Sequence, residues 1–372
     1  MRQHRVGRRH GQILSPRRTY GATVDKRGQH FNTSAHQART ADASAGTGSG
    51  MKVGVYFDMR NPPEWRQDWS RLYGFTLEMC QEAEHLGLDS IWTSEHHLFD
   101  DGYLTQPLTM LAGIAAATRT IRLGTAVLLA PLRPAIQIAE EATIVDLLSG
   151  GRLDLGLGAG YRHPEFELFD ADITKRYTAT DRRVAELRAI FADPRYMPPP
   201  VNGQIPIFLG YQGPKGAKRA GKLGTGLLSA NGALWEPYRD GLVEAGHDPS
   251  AAHMKGAFSG WVSDDPDADW PIVKEHLRHQ LDSYRRYMVE GTEMQVPRPV
   301  DPDRIRAEDN MGKVLGSFVH NTAEVVARSV REYVGAAPVE EIFIWASISG
   351  MPEQMVADHI RRIATQLKPL LA

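Results

Sequence analysis

Glu95, His96 and His97 form the densest run of proton-handling side chains in the sequence, and they follow, after Ser94, a short apolar run, Ser90 to Thr93. A neutral imidazole can accept or relay a proton near neutral pH, so an acid beside two histidines at a strand end has the makings of a general acid–base site. Alternate residues of an extended segment face opposite ways, so one histidine should face a ligand and the other the packing behind it. The same divergence argues against a metal, because this is not the H-E-x-x-H spacing that sets two rings on one helix face. His276 and His279 are three apart on a predicted helix, but KEHLRHQLDSYRR is charged throughout and reads as a solvated face.

Two glycine patterns could approach a ligand. RLDLGLGAGYRHPEF carries Gly156, Gly158 and Gly160 at alternate positions. This is G-x-G-x-G and not the dinucleotide fingerprint G-x-G-x-x-G, and Pro164 stands where the nucleotide-binding helix should already have begun. Close approach of backbone to ligand is the functional reading of these glycines. In PIFLGYQGPKGAKRAGKLG, Gly213 to Gly216 lead into a helix expected to begin near Lys215, where bare backbone N–H groups could meet a phosphate. GAKRAGKL nearly matches a P-loop, but Leu223 replaces the hydroxyl residue that holds magnesium, and the match lies inside the helix. Thr125 and Ala126 in RLGTAVLLAPLRP are small enough for a planar ring to lie against them, and equally suit tight packing.

The elements that must position these groups alternate from Met51 onward. Apolar runs are predicted as strands at Val53 to Phe57, Ser90 to Thr93, Arg122 to Leu128, Leu153 to Leu157, Ile205 to Leu209, Gly226 to Ser229, Gly256 to Val262 and Glu341 to Trp345. Between them lie segments of helical period, such as Leu72, Phe75, Met79, Ala83 and Leu86. Eight such alternations without a composition break predict a single (β/α)8 TIM barrel over residues 51–372, with its chemistry at the C-terminal ends of the strands. Gly158 to Ile173 and Thr292 to Gly316 are long for loops. The second, rich in proline and charge, is expected to be an insertion near the seventh strand that serves as a lid.

Composition sets the frame: 42% apolar and 24% charged residues suit a globular protein with a sizeable core. No run approaches a membrane span. The lone Cys80 reads as a core residue, forms no internal disulfide and fits a reducing, cytoplasmic setting. The net charge of −2 hides an asymmetry, because residues 1–50 carry nine Lys/Arg against two Asp/Glu. That segment lacks an apolar pattern and ends in SAGTGSG, so it is expected to be a disordered basic extension, or to precede a true start at Met51. No apolar stretch follows Arg8 and Arg9, which argues against a twin-arginine export signal. A nucleic-acid-binding arm is the alternative for this segment, though no nucleic acid is expected as a partner.

Taken together, WTSEHH, LGTAVLLAPLRPAIQIAEEATIVDLLSGGRLDLGLGAGYRHPEFELF and PIFLGYQGPKGAKRAGKLGTGLL resemble the bacterial-luciferase-like flavin-dependent oxidoreductases, with the turn VDLLSGGR from Val145 to Arg152 the most specific part. The resemblance implies a monooxygenase that takes reduced FMN from a separate flavin reductase and uses O2 to oxygenate a small organic substrate by way of a C4a-peroxyflavin. A homo-oligomer is the expected assembly, without membrane attachment. By the same resemblance His96 falls on the catalytic histidine with Glu95 beside it. Ala126 and Val127 fall on a pair often joined by a cis peptide under the flavin. Tyr161 and Arg162 would contact the flavin tail near Gly158, Arg176 the phosphate, and Gln212, Gly213 and Gly216 the phosphate loop. The sequence departs from the luciferase α subunit at Ala159, where that subunit has arginine, and at Gly213 and Gly216, where it has hydroxyl residues. A different tail is therefore open. Some members use the deazaflavin F420 for hydride transfer, and some relatives bind flavin without known turnover.

Overall fold

The computed structural model describes residues 50–305 and 318–372. The basic N-terminal segment and residues 306–316 of the expected lid lie outside the described residues. The elements run β1 (Lys52–Phe57), α1 (Trp69–His85), β2 (Ser90–Thr93), α2 (Pro107–Ala117), β3 (Arg122–Thr125), β4 (Leu128–Leu129), α3 (Ala135–Ser149) and β5 (Leu153–Gly158). They continue with α4 (His163–Leu168), α5 (Arg176–Ala192), β6 (Ile207–Leu209), α6 (Gly213–Lys222), β7 (Gly226–Leu228), α7 (Trp235–Glu244), β8 (Met254–Phe258) and β9 (Gly260–Val262). The chain then forms α8 (Pro266–Val289), α9 (Pro302–Ile305), β10 (Val319–Asn321), α10 (Ala323–Val334), β11 (Val339–Trp345) and α11 (Glu353–Arg362). β1, β2, β3, β5, β6, β7, β8 and β11 pair in parallel in that cyclic order, and β11 returns to β1, so the sheet closes into an eight-stranded barrel.

Three expected strands come out differently, each for a local reason. The third breaks at Ala126–Val127, a cis peptide bond, and resumes as the two-residue β4. The fifth begins only at Ile207, because Pro206 has no N–H to give and contributes its carbonyl to Leu155 N–H at 2.8 Å. The seventh divides: β8 stays in the barrel, while β9 turns out to pair with β10, which no sequence pattern announced.

The turn VDLLSGGR is a folding device. α3 ends at Gly150 in the left-handed conformation, with φ 70° and ψ 38°, and Gly151 N–H closes back on Asp146 O at 2.8 Å. Arg152 then spends its guanidinium on carbonyls that helix ends leave unpaired: Ser149 O at 2.7 Å, Ala115 O at 3.1 Å and Thr118 O at 3.2 Å, besides Ile121 O at 2.6 Å. One side chain thus fixes α2, α3 and the start of β3 at the base.

The interior alternates bulk with absence of bulk. Trp92 and Phe343 stack at 4.7 Å, with Tyr56 against Phe343 at 6.2 Å. A Cβ on Gly124 would meet the Trp92 ring at 2.3 Å, and one on Gly226 would meet Phe208 at 2.3 Å. The barrel is therefore a packed core, and ligand space can open only above it, at the strand C-termini. Among the described residues no helix is long and apolar enough to cross a membrane.

Candidate active site

At the mouth, the chain leaves β2 at Thr93 and runs through Ser94, Glu95, His96 and His97 as an irregular, buried segment. It leaves β5 through Gly160, with φ 71°, to Tyr161, Arg162 and the short helix α4. These two exits meet at Glu165, whose side chain is fully buried. Its Oε1 accepts from His97 N–H at 2.9 Å and lies 2.8 Å from His96 Nδ1. On the other edge of the ring, His96 Nε2 lies 3.4 Å from Tyr161 Oη. Phe99 stacks on the ring at 4.8 Å, and Tyr103 meets it edge-on at 4.8 Å. Burial pushes the Tyr161 hydroxyl well above its ordinary pKa, so it stays a donor.

His97 turns the other way, edge-on to Phe169 at 4.7 Å, with Nε2 2.8 Å from Glu95 Oε1. Glu95 takes Arg133 through both oxygens, at 2.6 and 2.9 Å, and accepts from Leu129 N–H at 2.8 Å. Burial opposes its charge, but the bonds from His97, Arg133 and Leu129 outweigh it and hold the carboxyl below its ordinary pKa. Expected as a proton-handling partner, Glu95 is instead a fixed anion that pins His97 and the β4 turn, and the acid against His96 is Glu165.

Arg162 is likewise redirected. Expected on a flavin tail, it is 1% exposed, donates to His97 O, Leu98 O and Glu290, and lies over the Tyr287 ring at 4.5 Å. Its side chain thus braces the backbone behind the histidines.

Ala126 and Val127 are half-buried on the mouth floor, and Ala126 packs, as do Leu228 and Trp345, against the cluster of Tyr56, Trp92 and Phe343. A Cβ on Gly158 would strike Val127 at 2.2 Å, and one on Gly156 would strike Thr125 O at 1.9 Å. These glycines admit the neighbouring strand, which corrects the reading of a backbone bared to a ligand.

A second corner joins the N-termini of α5 and α6. α6 begins at Gly213, two residues earlier than expected, after exposed Gln212. Gly213 has φ 69°, and a Cβ there would meet nothing within 4 Å. Gly216 has a different reason, since its Cβ would lie 2.8 Å from that of Tyr211. Tyr211 donates to Asp181 Oδ1 at 2.8 Å and Arg219 pairs with the same carboxylate at 2.6 Å, tying the two helices together. Arg176 opens α5 against the Tyr177 ring, and its buried Nε has no hydrogen-bond partner among the described residues.

Sequence reasoning missed a polar nest beside His96. The hydroxyls of Tyr56, Ser94, Tyr103 and Tyr284 are linked, with Tyr103 Oη 2.7 Å from Tyr56, 2.6 Å from Ser94 and 2.8 Å from Tyr284. Next to them Arg60 pairs with Asp101 at 2.7 Å, and Asp58 Oδ2 has no hydrogen-bond partner among the described residues. Burial, reinforced by Asp101 and partly offset by Arg60, pushes the Asp58 pKa up to about 6. The available signals were YFDMR, an acid and a base just past a strand end, and HPEF, an acid in the first turn after the glycine strand. The face of α8 read as solvated is also buried at His276, whose Nδ1 donates to Ser349 O at 2.9 Å and whose ring packs on Trp65 at 3.9 Å, while His279 Nε2 lies 3.3 Å from Asp101.

Comparison with known proteins gives this arrangement a context. A stretch of 117 residues is 37% identical to the oxygenase component of flavin-dependent trigonelline monooxygenase from Acinetobacter baylyi, covering 32% of each chain. Over 259 residues the sequence is 22% identical to the alkanal monooxygenase alpha chain of Photorhabdus laumondii, covering 63% of this chain and 71% of that one. The fold matches the monooxygenase RslO1 from Streptomyces bottropensis with TM-score 0.70 and 21% identity, over 87% of this chain and all of that one. It matches the oxygenating constituent of 3,6-diketocamphane monooxygenase from Pseudomonas putida, in complex with FMN, with TM-score 0.66 and 17% identity, over 86% and 98%. An F420-dependent secondary alcohol dehydrogenase is matched with TM-score 0.65 and 18% identity, over 87% and 100%. The family model for luciferase-like monooxygenases spans residues 51–340, and by that match the chain belongs to the luciferase-like monooxygenase family.

Proposed function

We propose that this chain is a flavin-dependent monooxygenase that takes reduced FMN and O2 and oxygenates a small organic substrate. The observation that carries the reading is the corner at α5 and α6, where Arg176, with its buried and unpartnered Nε, lies over Tyr177, whose ring meets Tyr211 just before the glycine-led start of α6 and the open space above Gly213. That donor set suits a phosphate monoester, so the residues present fit FMN. Arg176 and the first N–H groups of α6 would hold the phosphate, with Gln212 at its rim, and the Ala126–Val127 floor would carry the ring.

Bound reduced flavin would supply the electrons that activate O2. The chain would do the rest. His96, set between Glu165 and Tyr161, would hold or move a proton at Nε2. Tyr103, Tyr284 and Phe99 would keep water from that nitrogen. The trigonelline relative is named as an oxygenase component, which supports a separate reductase as the source of reduced flavin. Hydride transfer with F420 is the second reading, favoured by the fold match to an F420-dependent dehydrogenase. Titrating the purified protein with FMN, reduced FMN and F420, followed by fluorescence, separates them. The proposal expects reduced FMN to bind in preference to F420, and F420 binding alone would replace it with the second reading.

A further inference from the structure

Two histidines stand side by side at the mouth, each facing a buried glutamate, yet the two glutamates are not equivalent. Glu95 is saturated by Arg133, Leu129 N–H and His97. Glu165 has no such partner: Arg162 Nη1 comes only to 4.0 Å, and that guanidinium is itself paired with Glu290. What converges on Glu165 is one backbone N–H and one imidazole nitrogen, both on Oε1, while Oε2 is buried with no hydrogen-bond partner among the described residues.

This sharing fixes a proton. A backbone N–H can only donate, so Oε1 is an acceptor toward His97, and with Glu165 as a carboxylate, which can only accept, His96 Nδ1 at 2.8 Å on the same oxygen is the donor. A neutral imidazole has one N–H, so a proton held at Nδ1 leaves Nε2 bare. Nε2 is the nitrogen that faces Tyr161 Oη, and Tyr161 keeps its proton. We propose that Glu165 is the positioning residue of His96: by taking the Nδ1 proton into its hydrogen bond, it fixes the ring with a bare Nε2 toward the mouth. Free imidazole side chains usually carry the proton on the other nitrogen, so the site selects the less common form. The inference rests on the proton-handling role proposed above for His96.

The 15N spectrum of histidine-labelled protein, with the His96 signals assigned by their loss in His96→Asn, reads the tautomer directly and needs no flavin. The wild-type protein should show His96 protonated at Nδ1 and bare at Nε2. Glu165→Gln can still present an oxygen to both donors, so it should keep that tautomer. It should also keep the rate at which bound reduced FMN is reoxidised by O2 to within about fivefold. Glu165→Met removes the acceptor, so the Nδ1–H form should lose its dominance and the rate should fall by about tenfold or more, with FMN affinity changed less than roughly threefold. A wild-type His96 protonated at Nε2 overturns the proposal, as does a folded Glu165→Met protein with the wild-type tautomer. A protein that binds no flavin overturns the functional reading instead, and the spectrum of the wild-type chain still decides the role of Glu165.

Discussion

Asp154, Lys255, Glu341 and Arg122 at the base of the barrel, and Asp58, Arg60, Glu165 and Arg176 at its mouth, are two sets of charges drawn into one fold and satisfied in different ways. At the base Lys255 lies 2.8 Å from Asp154 and 3.4 Å from Glu341, Arg122 lies 2.5 Å from Asp154, and Glu341 also accepts from Trp92 Nε1 at 2.8 Å and from Ser90 Oγ. Burial opposes the charge on Lys255, but Asp154 and Glu341 outweigh it and hold its pKa above the ordinary value. Of these base groups Glu341 Oε2 lacks a hydrogen bond but keeps the ion pair with Lys255, whereas at the mouth Asp58 Oδ2, Arg60 Nη1, Asp101 Oδ1, Glu165 Oε2 and Arg176 Nε have no hydrogen-bond partner among the described residues. A buried polar atom left unpaired costs of the order of 1–3 kcal/mol, so a cluster of them is kept only where something else is gained. The contrast separates charge used to hold a fold from charge held ready for a ligand.

That separation can be broken in order of expected effect. Lys255→Met at the base should cost about 3–5 kcal/mol in chemical unfolding, because it leaves Asp154 and Glu341 buried with less countercharge. FMN affinity of the folded fraction should be unchanged. A loss of affinity with stability intact would show that base and mouth are not separate.

Asp58→Asn at the mouth should have the opposite sign. The folded-state pKa of Asp58, about 6, lies above the ordinary aspartate value, so the fold prefers the neutral acid. Stability from that preference is present below about pH 4, fades as pH rises through 6, and stays lost above it. The asparagine variant, which cannot ionise, should therefore be more stable than wild type at pH 7.5 by about 2–3 kcal/mol, with the gain vanishing near pH 4. Urea unfolding at the two pH values checks this, and a gain that grows toward acid would refute the assignment.

Arg176→Ala should weaken FMN by about 1.5–3 kcal/mol and riboflavin hardly at all, since only FMN carries the phosphate. Gly213→Glu, which sets a like charge above the helix N-terminus, should discriminate in the same direction. Equal losses for both ligands, measured by titration, would move the phosphate elsewhere.

How much of this was legible in the sequence follows the same division. The barrel was legible because period-2 and period-3.6 patterns alternate over the whole of residues 51–372 and because turns such as VDLLSGGR carry their own caps. His96 was legible as a residue type at a strand end. Its partner was not, because Glu165 lies 69 residues away in sequence and only the pairing of β2 and β5 on either side of β3 brings their exits together. Glu95 was misread for the complementary reason, since adjacency in sequence concealed that its carboxylate points to Arg133, 38 residues on. Gly158 and Gly216 were visible as glycines, but what a side chain would strike there, Val127 and Tyr211, depends on neighbours no linear pattern displays. The divergence of His96 from His97 came directly from the extended backbone, though the segment itself is irregular beyond Thr93.

His96 is proposed as the group that handles a proton at the mouth, with His97 a packed bystander. The most direct measurement is stopped-flow reoxidation of protein-bound reduced FMN by O2 in His96→Asn and His97→Asn, each with its FMN affinity measured in parallel. His96→Asn should change the rate by about 10² or more with affinity nearly unchanged, while His97→Asn should stay within roughly threefold of wild type. Wild-type kinetics and affinity in His96→Asn would contradict it.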